Sequence, residues 1–101
     1  MSELKGYQQE IFENKINKGF NTTNIEQEFL LLYGEVAEAF DAYKKNDQTN
    51  LAEELADVAI YLLGLSEILG IDLDEEIRQK IAINHNRQYR TTETGYAKKV
   101  D

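Results

Sequence analysis

Apolar residues recur at steps of four, three and four from Ile25 through Phe29, Leu32, Val36 and Phe40 to Tyr43. That period marks one face of an α-helix and predicts a helix over residues 24–45. Thr23-Asn24-Ile25-Glu26, at its start, has the form of a capping box. A polar stretch from Lys45 to Asn50 follows. Asn46 suits the left-handed conformation that ends a helix, and Asn50 with Glu53 forms a second capping signature. The next apolar block runs from Leu51 to Leu69, covers nearly every side of a helix over 51–69, and stops at Gly70. So short a connection predicts antiparallel neighbours. A helix that is apolar on most faces must be covered on most faces, which points to self-association in so small a domain.

The flanking patterns are thinner. Leu4, Tyr7, Ile11 and Phe12 stripe a first helix over 3–18, with Gly19 as its stop and Phe20 as an anchor for the turn. Asp72-Leu73-Asp74-Glu75 caps a fourth helix, with acids in the favourable first turn. Leu73, Ile77 and Ile81 give its inner stripe over 73–90. The tail from Thr91 to Asp101 has no helical pattern and is expected to be loosely ordered or docked on a neighbour. Four helices without a convincing strand predict an all-α fold, a four-helix bundle-like single domain over residues 1–101.

Composition narrows the partners. The chain has no proline and no cysteine, which suits uninterrupted helices and excludes a disulfide scaffold or thiolate metal site. A net charge of −8 argues against nucleic acid or an anionic membrane and is compatible with divalent cations. The N-terminus lacks the basic start and apolar core of a signal peptide, and the apolar run Val58–Leu65 is too short to span a bilayer. The expected location is the cytoplasm.

The acids carry the chemistry. Glu35 and Glu38 are spaced i to i+3, as are Glu54 and Asp57, so each pair shares a helix face. At about 100° per residue, Glu28 and Glu35 fall inside the apolar arc of the second helix and Glu38 at its edge. Glu54 falls between Tyr61 and Leu65 on the third helix, and Asp57 between Gly64 and Ile68. Other acids, Asp41, Glu53 and Glu67, take the exposed sides. Buried carboxylates need counter-charges, and neither helix contains an Arg. A divalent cation is the simplest solution, and all-oxygen ligands select Mg²⁺ or Mn²⁺ over zinc or copper. In the folded hairpin Glu38 is expected opposite Asp57, with Glu54 one turn nearer the loop. The only histidine, His85, has no acid three residues before it, which rejects a Glu-x-x-His di-iron site.

Mg²⁺ held by carboxylates keeps positions open for phosphates and water. Lys80, Asn84 and Arg87 fall at steps of four and three beside the Ile77–Ile81 stripe, a row suited to a polyphosphate. Lys15 and Lys18 are weaker candidates for the same task. On spacing alone a solvated basic edge explains the row equally well.

Glu35-Val36-Ala37-Glu38 with Glu54-Leu55-Ala56-Asp57 resembles the signature of the MazG-like nucleoside triphosphate pyrophosphohydrolases, an all-α superfamily. Glu28-Phe29-Leu30-Leu31-Leu32, the surroundings of Glu53 to Val58, and Lys80, Asn84 and Arg87 are similar as well, so the likeness spans residues 20–90. One position departs: Gly34 stands where the family has the first Glu of a doubled pair. The resemblance implies Mg²⁺-dependent hydrolysis of an NTP or dNTP to the monophosphate and pyrophosphate. It implies Glu35, Glu38, Glu54 and Asp57 as metal ligands, with Glu38 or Glu35 orienting the water; Glu28, from its place inside the apolar arc, is a candidate outer-shell carboxylate behind them. It implies Lys80, Asn84 and Arg87 as substrate contacts, and a homodimer or dimer of dimers. Phe12, Phe20 and Tyr61 are candidates for a base pocket, with no choice among them.

Two readings of other classes stand beside the hydrolase: a non-catalytic helical interaction module that keeps a metal site for stability, and an acidic DNA mimic. Embedded rather than exposed acids count against the mimic.

Overall fold

The structure is a computed structural model that describes residues 3–86 and the backbone of 89–91 and 97–99. Among these residues the chain forms α1 (Glu3–Asn17), α2 (Ile25–Lys44), α3 (Gln48–Ile68) and α4 (Leu73–Asn86). Two three-residue strands follow, β1 (Tyr89–Thr91) and β2 (Ala97–Lys99), paired antiparallel with Tyr89 opposite Lys99. The expected all-α architecture holds. The strands correct the expectation of a tail without regular structure, and α4 stops short of the expected residue 90.

Local chemistry sets the helix ends. Gly19 and Gly70, both at φ +71°, turn the chain out of α1 and α3, and Asn46 does the same after α2 at φ 58°. Two caps differ from expectation. Asn24, not Thr23, caps α2, its side chain accepting from the Gln27 backbone N–H. Asp47, not Asn50, caps α3, accepting from the Asn50 N–H, so this helix starts a turn earlier and the connection shortens. The α4 cap is as expected, with Asp72 accepting from the Glu75 N–H.

Helices α2 and α3 form the hairpin at the centre, α1 lies on α3, and the main contact of α4 is with α1. The buried apolar positions are small and medium residues: Ala39 and Ala42 of α2 near the hairpin turn, and Leu63, Gly64 and Leu65 towards the far end of α3. Gly64 admits α1, because a Cβ there would lie 3.1 Å from Lys15 Cε and 3.2 Å from Ile11 Cγ2. The long apolar stripe of α2 is not the buried one. Val36 is 50% exposed, Phe40 58% and Tyr43 64%, since α3 meets the alanines on the adjoining face. The expected inner stripe of α4 is likewise open at Ile77 and Ile81. The radius of gyration, 16.6 Å, exceeds the roughly 13 Å of a compact domain of this length.

Candidate metal centre and adjoining pocket

Because α2 and α3 run antiparallel, acids one turn apart on each helix come together across the hairpin. One carboxylate oxygen each from Glu35, Glu38 and Glu54 lies within 4.8 Å of the others. Glu35 and Glu54 are half-buried and Glu38 is exposed. Oε2 of Glu35 and Oε2 of Glu54 are buried with no hydrogen-bond partner. An orphaned buried carboxylate oxygen is costly, and two of them at one cluster suit the coordination of a cation. The donor set is oxygen throughout, which fits a hard divalent ion such as Mg²⁺ or Mn²⁺.

The electrostatics agree. Desolvation and the neighbouring charges of Glu38, Asp57 and Glu35 push the Glu54 carboxyl up to about 7. Desolvation, Glu38 and Asp57 raise Glu35 as well. Carboxylates crowded without a counter-charge resist ionisation until a cation arrives. Asp57 is half-buried and adds its charge to this field, but the convergent trio takes Glu54, not Asp57, from α3.

Glu28 is buried too, at 1% exposed, but its charge is answered within the chain. Lys15 Nζ donates to its Oε1 at 2.6 Å, and Asn21 Nδ2 donates to its Oε2 at 3.0 Å. Lys15 also donates to the Asn21 carbonyl at 3.4 Å and lies 5.7 Å from the centre of the Tyr61 ring. It is therefore committed to Glu28 and not offered to a phosphate, which corrects its sequence assignment. The signal for this pair was present: Glu28 inside the apolar arc demanded a cation, and Gln8, Ile11 and Lys15 follow one another on the inner face of α1.

Two small pockets of about 200 and 120 Å³ open beside this ion pair. Both are lined by Lys15, Phe20 and Tyr61; Asn21, Gln27, Glu28 and Leu31 complete the larger, and Ile11, Asn14 and Ile60 the smaller. Desolvation, then the charges of Glu35 and Glu28, push the Tyr61 phenol up. Phe12 lines neither of these pockets.

Lys80 and Asn84 are exposed on α4, whose main contact is with α1, and Arg87 lies outside the described residues. Among the described residues no helix is long and apolar enough to cross a membrane.

Comparison with known proteins agrees with this geometry. Over 50 residues the chain is 40% identical to a dATP/dGTP diphosphohydrolase of cyanophage S-2L, a match that covers 50% of this chain and 48% of the relative. The chain thus spans about half the length of that curated relative. The solved structure of the cyanophage S-2L MazG-like pyrophosphohydrolase, bound to dGDP and three catalytic Mn²⁺ ions per active site, is similar over the whole of both chains. Its TM-score is 0.63 at 25% identity. The model of the MazG-like family matches residues 23–101, which contain every carboxylate of the cluster, and the chain belongs to that family.

Proposed function

We propose that the protein is a divalent-cation-dependent nucleoside triphosphate pyrophosphohydrolase, converting an NTP or dNTP and water to the monophosphate and pyrophosphate. The observation that carries this reading is the convergence of Glu35, Glu38 and Glu54 with two buried oxygens left unpartnered. The similar cyanophage proteins, one a dATP/dGTP diphosphohydrolase and one holding dGDP with Mn²⁺, support the same substrate class.

Glu35, Glu38 and Glu54 hold the cation, with Asp57 as a fourth ligand and Mg²⁺ as the working ion that Mn²⁺ can replace. Bound cations supply Lewis acidity to the phosphates and acidify a water. Glu38, the exposed member of the trio, orients that water, with Glu35 beside it; its exposure supports this role. The water oxygen attacks the α-phosphorus, the bond to the bridging oxygen breaks, and pyrophosphate leaves. Lys80, Asn84 and Arg87 bind the polyphosphate and offset its charge. Glu28 stands behind the ligands, neutralised by Lys15.

The active unit is a homodimer or a dimer of dimers. The exposed Val36, Phe40 and Tyr43 of α2 and the large radius of gyration support an assembly that covers this face. The protein acts in the cytoplasm on free nucleotides, with no nucleic-acid or membrane partner, in a house-cleaning role.

The test is a panel of NTPs and dNTPs with Mg²⁺ or Mn²⁺, read as pyrophosphate released. Turnover of at least one nucleotide by the wild type, lost in Glu38→Gln, supports the reading. A panel in which nothing exceeds the Glu38→Gln background leaves a non-catalytic helical module.

A further inference from the structure

We infer that the Lys15 ammonium takes the place of a metal ion at Glu28, filling a cation site beside α2 and keeping that carboxylate out of the divalent centre. This rests on the cation-dependent reading above and adds the residue that limits how many ions the acids accept.

Glu28 and Glu35 lie two turns apart on α2, so they share a helix face and are separated by about 10 Å along the axis. The residue type is the same and the surroundings differ. Glu35 has an oxygen, Oε2, buried without a hydrogen-bond partner. At Glu28 both oxygens are answered, Oε1 by Lys15 Nζ at 2.6 Å and Oε2 by Asn21 Nδ2 at 3.0 Å. The same ammonium donates to the Asn21 carbonyl at 3.4 Å and lies 5.7 Å from the centre of the Tyr61 ring. A carboxylate oxygen and a backbone carbonyl are ligands that a hard divalent ion takes, and here they meet a nitrogen instead.

The fold guides the lysine to this place. Its stem passes Gly64 of α3, where an added Cβ would come 3.1 Å from Lys15 Cε and 3.8 Å from Cδ. Lys15 and Glu28 are 8% and 1% exposed, so dissolved salt screens their attraction little. Lack of access does not keep metal ions from Glu28. A pocket of about 200 Å³ adjoins both side chains, and at roughly 30 Å³ per water it has room for an ion with part of its hydration shell. The ammonium keeps ions away by filling the site. Its single charge balances one carboxylate and leaves nothing over, so unanswered negative charge stays with Glu35, Glu38 and Glu54. Without the lysine a buried carboxylate would face a carbonyl and an open approach, the conditions under which a divalent ion binds.

The experiment counts Mn²⁺ ions bound per chain, in the absence of nucleotide, from the loss of the free-ion EPR signal. It compares the wild type with Lys15→Met and with Lys15→Met/Glu28→Gln, which removes both charges without leaving one buried alone. Lys15→Met is expected to take up about one ion more than the wild type, and the double variant the same number as the wild type. Where Lys15→Met unfolds in EDTA, excess Mn²⁺ is expected to restore its helical circular dichroism, because the ion binds the folded chain. A folded Lys15→Met that takes up no further ion would overturn the inference, as would one that excess Mn²⁺ does not refold. So would a double variant that binds fewer ions than the wild type, since Glu28 would then already be a ligand. A wild type that takes up no Mn²⁺, beside a Lys15→Met chain that does, would sink the metal-dependent hydrolase reading and leave Lys15 as the cation that the metal replaces.

Discussion

Glu28 and Lys15 meet at 2.6 Å from helices that are consecutive in the chain, both nearly excluded from water. The pair leaves the acid cluster as the place where negative charge is unanswered, and it gives the first prediction. Lys15→Met strands a buried carboxylate and is expected to cost about 3–5 kcal/mol in urea unfolding. Adding Glu28→Gln is expected to restore much of that loss. A double variant no more stable than Lys15→Met would show that the pair is not coupled.

Gly34 and Gly64 are both helical, yet alanine is expected to act on them with opposite sign. Around Gly34 no atom lies within 4 Å of an added Cβ, so Gly34→Ala is expected to stabilise by about 0.5–1 kcal/mol through backbone entropy. At Gly64 the added carbon meets Lys15 Cε and Ile11 Cγ2. Ile11 is branched close to its backbone and cannot swing aside, so Gly64→Ala is expected to lose about 1–2 kcal/mol net. Thermal melts of the two variants check both signs.

Gln8 is fully buried and joins α1 to the turn before α4. Its Nε2 donates to the Ile71 carbonyl at 2.9 Å and to Glu67 Oε1 at 3.2 Å, and its Oε1 accepts from the Leu73 N–H at 3.0 Å. Gln8→Met is expected to cost about 1–3 kcal/mol, because backbone groups at the turn lose their partner. Faster amide exchange at Leu73 than at mid-α3 positions would locate the loss at the turn.

The acid cluster sets a pH dependence. Desolvation and the neighbouring carboxylates push Glu54 from the ordinary 4.5 up to about 7 in the folded chain, and Glu35 is shifted in the same direction. The folded state therefore holds more protons than the unfolded state between these values, and stability falls as pH rises through that window. A metal-free sample is expected to melt lower at pH 8 than at pH 5.5. Mg²⁺ is expected to raise the melting temperature more at pH 8, where the carboxylates need no deprotonation to bind it. An equal effect of Mg²⁺ at the two pH values would separate the ion from this cluster.

Much of this was legible in the residues. The steps from Ile25 to Tyr43 and the polar break at Asn46 foretold the central hairpin, and the placing of Glu35 and Glu54 inside apolar arcs foretold the convergence. What periodicity does not carry is which face a neighbour takes. Ala39 and Ala42, not Phe40 and Tyr43, face α3, because small residues let the backbones approach closely. The cap at Asp47 was hidden by a competing signal at Asn50 three residues later. The Lys15–Glu28 bond and the anchoring of Gln8 are tertiary pairings, across 13 and up to 65 positions: local spacing puts these side chains on inner faces but does not say which partner each takes.

Product analysis of one accepted triphosphate, with Mg²⁺, tests the central claim most directly, comparing the wild type with Glu54→Gln. The wild type is expected to release monophosphate and pyrophosphate in equal amounts, and Glu54→Gln to remain folded and lose turnover by a factor of about 100 or more. Release of a diphosphate with orthophosphate, or full turnover by Glu54→Gln, would contradict a carboxylate-held cation acting at the α-phosphorus.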